Sequence, residues 1–282
     1  MKPLLEVANL SVKFPVMKQG IFRKQVDVMT AVNNVSFSLP SGGCLGIVGE
    51  SGSGKTTLVR AILRALDPSS GSAIFQSSRG PVDLCTLSDA QLKPLRKEMQ
   101  MIFQDPFASL NPRMKVGDIV AEPLVIHEPE SKGVHRDRVV EMLNQVGLDG
   151  DAISRFPHAF SGGQRQRIGI ARALILNPTL VVCDEAVSAL DVSVQAQVLN
   201  LLRDLQQQMN LTYLFVAHDL NVVRYFCDET LVMYQGNVVE SGPVNQLFDN
   251  PAHNYTKLLL SAIPSIDPDE KLQPLDRSIL DL

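Results

Sequence analysis

The stretch "GESGSGKTT", Gly49 to Thr57, constrains this chain more than any other. Gly49, Glu50, Ser51, Gly52, Ser53, Gly54, Lys55 and Thr56, with Thr57 following, fill the Gly-x-x-x-x-Gly-Lys-Thr pattern of a phosphate-binding loop. The loop also stands where its mechanism requires. Before it runs "CLGIVG", short, continuously apolar and ending in glycine, as a buried parallel strand would; after it comes the helical run "TTLVRAILRAL". Glycines let successive backbone N–H groups converge on phosphate oxygens, the helix N-terminus adds the positive end of its dipole, and the Lys55 ammonium reaches the β- and γ-phosphates. Thr56 is then the expected ligand of Mg²⁺. The plainer alternative, a glycine-rich turn that only caps a helix, leaves the Lys-Thr ending without a purpose.

"LVVCDE", Leu180 to Glu185, and "YLFVAHD", Tyr213 to Asp219, have the same buried-strand character as "CLGIVG". Three such strands separated by helical patterns imply an α/β sheet. Leu5 to Phe14 and Val32 to Leu39 instead alternate apolar and polar residues, the pattern of strands with one wet face. Val139, Val140, Leu143 and Val146 recur at helical spacing and stop at Gly147, and Val194, Val198, Leu201, Leu202 and Leu205 form a second stripe; both read as core packing. Gln104 to Leu124 carries prolines and glycine and reads as a loop with short helical pieces. From roughly Gln104 to Ala159 the chain reads as a helical insertion, and Pro264 to Leu282 as a polar, exposed tail.

The 282 residues, 45% hydrophobic and 20% charged, suit one large or two ordinary domains with a sizeable core. A net charge of −4 gives no global reason to expect nucleic acid. Cys44, Cys85, Cys183 and Cys227 show no Cys-x-x-Cys spacing, so neither a zinc site nor a disulfide framework is expected, and a reducing compartment fits. Met1 to Gly20 lacks a signal-peptide core, and nowhere do about 18 uncharged apolar residues run together, so a chain soluble by itself is expected.

A nucleotide held by Lys55 and Thr56 needs a carboxylate for Mg²⁺, and Asp184 stands at the end of a buried strand to supply it. Glu185, one residue on, is placed to polarise the attacking water. His218, at the end of the third buried strand, is read as a γ-phosphate contact over a packed core histidine. "HRD" at His135 to Asp137 has Met142 where a kinase loop needs Asn, so it reads as a solvated helix face. "FSGGQRQR", Phe160 to Arg167, opens another helix: Ser161 is a good N-cap and Gln164 completes a capping-box spacing. Gly162 and Gly163 would clear the approach to its N-terminus. By pattern alone this is either an anion-binding helix start or an ordinary capped helix.

In order and spacing these motifs resemble the ATP-binding cassette (ABC) proteins: the phosphate loop at Gly49 to Thr57, a Q-loop glutamine at Gln104, the signature at Ser161 to Gln164, the carboxylates Asp184 and Glu185, a D-loop at Ser188 to Asp191 and a switch histidine at His218. The resemblance implies a P-loop NTPase core with a mainly parallel sheet, an N-terminal antiparallel β subdomain and an inserted α-helical subdomain. It implies a nucleotide-binding domain over 1–263, with the insertion at about 104–165, and a tail over 264–282. ATP and Mg²⁺ are the implied ligands: Phe14 stacks on adenine, the loop from Gly49 to Thr57 grips phosphate, and Thr56, Gln104 and Asp184 organise the metal. Lys55, Gln104, Glu185 and His218 are the implied catalytic residues. Ser161, Gly162, Gly163, Gln164 and Asp191 are implied to meet the nucleotide of a second cassette packed head to tail.

"QDPFASLNPR", "CDEAVSALDVSVQAQVLNLL" and "NPAHNYTKLLLSAIP" further resemble the ATPase subunits of bacterial dipeptide and oligopeptide importers, in particular the second of the two unlike ATPases such systems carry. Importers of nickel, opines or other small solutes share much of this wording. The implied partners are membrane permease subunits, a second and non-identical ABC ATPase and, indirectly, a periplasmic or extracellular solute-binding protein; no nucleic acid is implied. The implied location is peripheral, on the cytoplasmic face of the inner (cell) membrane. Ala186 stands where many cassettes have proline, Phe160 where leucine is commoner, and Phe14 where the aromatic is often tyrosine. Some peptide-importer ATPases carry a C-terminal cysteine cluster for an iron–sulfur centre, and with no cysteine after Cys227 none is expected here. A soluble cassette protein of translation or DNA repair, the rival reading, would carry two cassettes or a long coiled-coil or zinc insertion. A regulatory subunit that binds without hydrolysing would not need Glu185.

Overall fold

The computed structural model describes residues 2–17, 25–105, 108–128, 132–262, 275–276 and 280. Apart from 275–276 and 280, the tail expected over 264–282 lies outside the described residues, as do Pro106 and Phe107. The chain begins with β1 (Leu5–Met17), β2 (Gln25–Leu39), β3 (Cys44–Val48), α1 (Lys55–Ile62), β4 (Ser70–Ser77) and β5 (Gly80–Asp83). Next come α2 (Asp89–Leu92), β6 (Met99–Ile102), α3 (Val116–His127), α4 (Lys132–Gln145), α5 (Gly162–Leu174), β7 (Leu180–Asp184), α6 (Val192–Met209) and β8 (Thr212–Val216). The last elements are α7 (Leu220–Phe226), β9 (Glu229–Tyr234), β10 (Asn237–Pro243), α8 (Val244–Asp249) and α9 (Asn254–Ser261). They fall into two compact units, residues 1–87 with 215–282 and residues 88–214, and the chain passes from the second to the first along β8.

In the first unit, β2, β1, β4 and β5 form an antiparallel sheet in that order, the N-terminal β layer that the sequence led us to expect. Leu5, Val7, Leu10 and Val12 are all buried, although seven to ten is an odd step that would turn a regular strand inside out. The step is absorbed by a register shift between Val7 and Leu10, where Asn9 takes φ +50°. Asn34, φ +49°, lies within the corresponding odd step from buried Val32 to buried Val35. β3, buried at all five positions, pairs in parallel with β9 from Leu45↔Glu229 to Val48↔Val232. β9 turns into β10 through Gln235 and Gly236, both at positive φ as a two-residue hairpin turn requires. Beyond β10, the Glu240 carboxylate accepts the N–H groups of Ala252, 2.8 Å, and His253, 3.0 Å, which fixes the chain entering α9.

In the second unit, β6 and β7 pair in parallel from Met99↔Leu180 to Ile102↔Cys183. The region read as a loop with short helical pieces is instead a loop followed by the twelve-residue helix α3. Val116, Ile119, Val120 and Leu124 give that helix a buried stripe, and their burial outweighs Pro123 inside it, which removes one backbone donor without ending the helix. The "HRD" segment is solvated at Arg136 and Asp137 only. His135 is 4% exposed, and its Nε2 lies 3.0 Å from the Glu128 carbonyl just past the end of α3. Val139, Leu143 and Val146 are buried as expected, and Gly147 takes φ +75° just beyond α4. On α6 the buried stripe is Val198, Leu199, Leu202 and Leu205, with Val194 and Leu201 half-buried beside it. The four cysteines form no disulfide; the Sγ atoms of Cys44 and Cys227 are 3.4 Å apart, well beyond a disulfide bond.

Two outcomes follow from this packing. Leu124→Ala, at a position with no exposure, should cost about 3 kcal/mol in denaturant unfolding, whereas Val125→Ala, at 61% exposure, should change stability by less than about 0.5 kcal/mol. Burial acts to raise the Glu240 carboxyl, but the polar groups around it, the Ala252 amide foremost and then Thr256 and His253, together outweigh it and hold the group below its ordinary value of 4.5. A depressed carboxyl stabilises the fold above its unfolded value and loses that contribution as pH falls through the folded one. Melting temperature should therefore fall on acidification below about pH 4.5, and Glu240→Gln should flatten that part of the profile.

Candidate functional site

The phosphate loop is built by close backbone approach. Gly49, Gly52 and Gly54 take φ values of +149°, +82° and +103°. A Cβ on Gly49 would lie 2.2 Å from the Met233 carbonyl oxygen, and one on Gly54 would lie 2.3 Å from that of Ala31. Glycine is thus required at both for conformation and for space. The Gly236 N–H donates to the Ser53 carbonyl at 3.0 Å, so the β9–β10 hairpin holds the loop from outside. Helix α1 starts at Gly54 with no capping side chain and no acid in its first turn, which leaves its N-terminus suited to an anion. The Lys55 side chain is 5% exposed, and its ammonium donates to the carbonyls of Gly49, 2.7 Å, and Glu50, 2.8 Å.

The same unit holds Phe14 and His218. Phe14 is half-buried in β1 opposite Met29 of β2, a residue 55% exposed. His218 is exposed, which rules out the packed core histidine, and Asp219 beside it caps α7 by accepting the Asn221 N–H at 2.8 Å.

In the second unit the register of β6 against β7 decides the geometry. Ile102 stands beside Cys183, so two residues further on Gln104 stands beside Glu185, and the Gln104 Nε2 donates to Glu185 Oε2 at 2.9 Å. Asp184 is 6% exposed at the end of β7. Glu185 is half-buried and takes φ +52°, a left-handed conformation that costs a non-glycine residue about 1–3 kcal/mol and is characteristic of functional sites. Its carbonyl accepts the N–H of Ser188 at 3.1 Å and the Ser188 hydroxyl at 3.0 Å, a tight turn that leads to Asp191 at the start of α6.

Ser161 caps α5 as its spacing implies. The Gln164 N–H donates to Ser161 Oγ at 3.4 Å and the Ser161 N–H to Gln164 Oε1 at 3.0 Å, closing a capping box. Both residues are exposed. The two glycines between them differ: a Cβ on Gly162 would make an ordinary 3.8 Å contact with Leu190, but one on Gly163 would lie 2.4 Å from Val194 Cγ1 of α6. Gly163 is therefore required for packing α5 against α6, a role that periodicity did not reveal. Two arginines of this helix, to which the sequence reading gave no role, also support it. Arg165 ties the approach to α5 by donating to the carbonyls of Pro157, 2.9 Å, and Phe160, 3.0 Å. Arg172, whose burial lowers its basicity, donates to the Ser109 carbonyl at 2.7 Å.

A buried strand, a glycine loop with an inward lysine and a helix with an open N-terminus define a P-loop nucleotide-binding protein. The chain belongs to the ABC transporter family, whose model matches residues 32–188. Residues 239–279 match the model described as oligopeptide/dipeptide transporter, C-terminal region. The oligopeptide transport ATP-binding protein AppF of Bacillus subtilis is 49% identical over 262 residues, 93% of this chain and 78% of AppF. The oligopeptide transport ATP-binding protein OppF of Salmonella typhimurium is 49% identical over 282 residues, 98% of this chain and 83% of OppF. Among solved structures, the ATP-binding cassette MJ0796, dimeric in a post-hydrolysis state with ADP and Pi, superposes with TM-score 0.72 at 27% identity over 85% of this chain and 98% of its own. The cbiO1 protein of Clostridium perfringens, part of the ABC transporter complex cbiONQ, gives TM-score 0.75 at 26% identity over 89% and 92%.

The packing role of Gly163 can be checked directly. Gly163→Ala should destabilise the protein by about 1–3 kcal/mol through overpacking, and adding Val194→Ala should recover most of the loss in denaturant unfolding.

Proposed function

We propose that this chain is the ATP-hydrolysing subunit of a bacterial importer for dipeptides or oligopeptides. The observation that carries the solute class is that similarity does not stop at the ATP-binding cassette: it runs into residues 239–279, and relatives matched over nearly the whole chain are named for oligopeptide transport. A nickel, opine or other small-solute importer is the second reading.

The loop amides, Lys55 and the N-terminus of α1 grip the phosphates of ATP, and Phe14 packs on its adenine. Water attacks the γ-phosphorus, Glu185 takes the proton that the water loses, and the bond to the β-phosphate oxygen breaks to leave ADP and phosphate. Gln104 orients the Glu185 carboxylate through its amide N–H, and His218 contacts the γ-phosphate. The Thr56 hydroxyl, the Gln104 carbonyl oxygen and the Asp184 carboxylate are hard oxygen donors of the kind Mg²⁺ takes. When bound, Mg²⁺ would draw negative charge from the phosphate oxygens. Ser161 to Gln164 and Asp191 serve the nucleotide of a second cassette, an unlike sibling, so that ATP draws two subunits together and hydrolysis releases them.

Among the described residues no helix is long and apolar enough to cross a membrane, so transport needs permease subunits. We place this chain on the cytoplasmic face of the cell membrane, where the permeases connect it to an external solute-binding protein. The second unit offers them a cleft of about 900 Å³ between α3 and α4, lined by residues that include Asp118, Glu122 and Arg136 and by Val125 and Ile126, which are 61% and 56% exposed.

Glu185→Gln should lower phosphate release at least about 100-fold while ATP binding persists; unchanged turnover would remove Glu185 from the base role. In cells, that variant should abolish uptake of labelled di- and tripeptides. If nickel uptake is lost and peptide uptake is untouched, the solute class is wrong.

A further inference from the structure

Tyr255 of the C-terminal region reaches the phosphate loop. Tyr255, on α9, has no exposure, and its phenol oxygen accepts the N–H of Glu50 at 2.9 Å. Its ring packs on Tyr234 with centroids 4.3 Å apart. The helix that carries it is fixed in turn, because the Tyr255 N–H donates to His253 Nδ1 at 3.1 Å and the Glu240 carboxylate holds the amides of Ala252 and His253.

The Glu50 N–H belongs to the same planar peptide unit as the Gly49 carbonyl, and in a trans peptide the two point in opposite directions. Lys55 holds the carbonyl side at 2.7 Å and Tyr255 the amide side at 2.9 Å. Rotation of this unit is blocked from both ends. An amide committed to a phenol oxygen also does not face phosphate, so Glu50 forms the fixed end of the loop from which the amides after it are aimed.

We propose that Tyr255 is a positioning residue for nucleotide binding: by pinning the Gly49–Glu50 peptide it sets the seat of the Lys55 ammonium and keeps the loop in its phosphate-accepting shape. The inference rests on the ATP-binding reading above. It assigns to the region matched by the oligopeptide/dipeptide transporter C-terminal model a direct part in ATP affinity. A loop released from this restraint spends less time in the competent shape, and apparent affinity falls by that fraction.

Tyr255→Phe keeps the ring and removes the acceptor. Affinity for both ATP and ADP should weaken about fivefold, the worth of one net hydrogen bond, while turnover at saturating ATP stays within about twofold. Tyr234→Phe, which keeps the same ring contact, should leave both unchanged. Amide hydrogen exchange without nucleotide supplies the independent readout: the Glu50 N–H should be protected in the wild type and lose that protection in Tyr255→Phe. An unprotected Glu50 amide in the wild type overturns the proposal even if the variant fails to fold. Unaltered ATP and ADP affinity in a folded variant that has lost the protection overturns it as well. If the wild type protects Glu50 yet binds no ATP, the nucleotide reading fails and the brace stands as a structural contact alone.

Discussion

The structure depends on a backbone loop that has to converge its amides within a buried setting. Gly49, Gly52 and Gly54 provide turns that other residues resist, and the carbonyls of Met233 and Ala31 close in to 2.2 and 2.3 Å of where two Cβ atoms would be. The loop is also held by the Gly236 amide on Ser53, by the buried ammonium of Lys55 and by the Tyr255 phenol on Glu50. A phosphate site made of backbone N–H groups works only if those groups need not reorganise when the anion arrives, and this ring of contacts provides that stiffness.

The second unit reaches its polar geometry by strand register. Parallel pairing of Ile102 with Cys183 places Gln104 against Glu185, and the left-handed turn at Glu185 carries the chain away from the sheet immediately after. The local strain is sustained by the surroundings: β7 is buried at every position before it, and Ser188 binds the Glu185 carbonyl just after. A carboxylate held by an amide at the end of a buried strand is suited to taking a proton from water, the role proposed for Glu185.

Much of this was legible before any coordinates. Continuous apolar runs ending in Gly49, Asp184 and Ala217 marked the buried strands, because a strand covered on both faces has no polar positions. Ser161 and Gln164 marked a helix start because a capping box is a local device, closed within four residues. What misled was equally local: Pro123 signalled a break that the burial of Ile119, Val120 and Leu124 overrides, and His135, read as part of a solvated helix face once the kinase spacing failed at Met142, is buried on the Glu128 carbonyl.

Motif spacing alone determined that this chain carries a phosphate loop, a carboxylate-tipped strand and a second capped helix, because each is encoded within a few consecutive residues and its physics is that of the backbone nearby. Packing decided the rest. Gly163 makes room for Val194, Gln104 meets Glu185 across a strand pair, and Tyr255 reaches Glu50 across 205 positions of chain. No periodicity records such meetings, because they are set by how elements distant in sequence settle against one another.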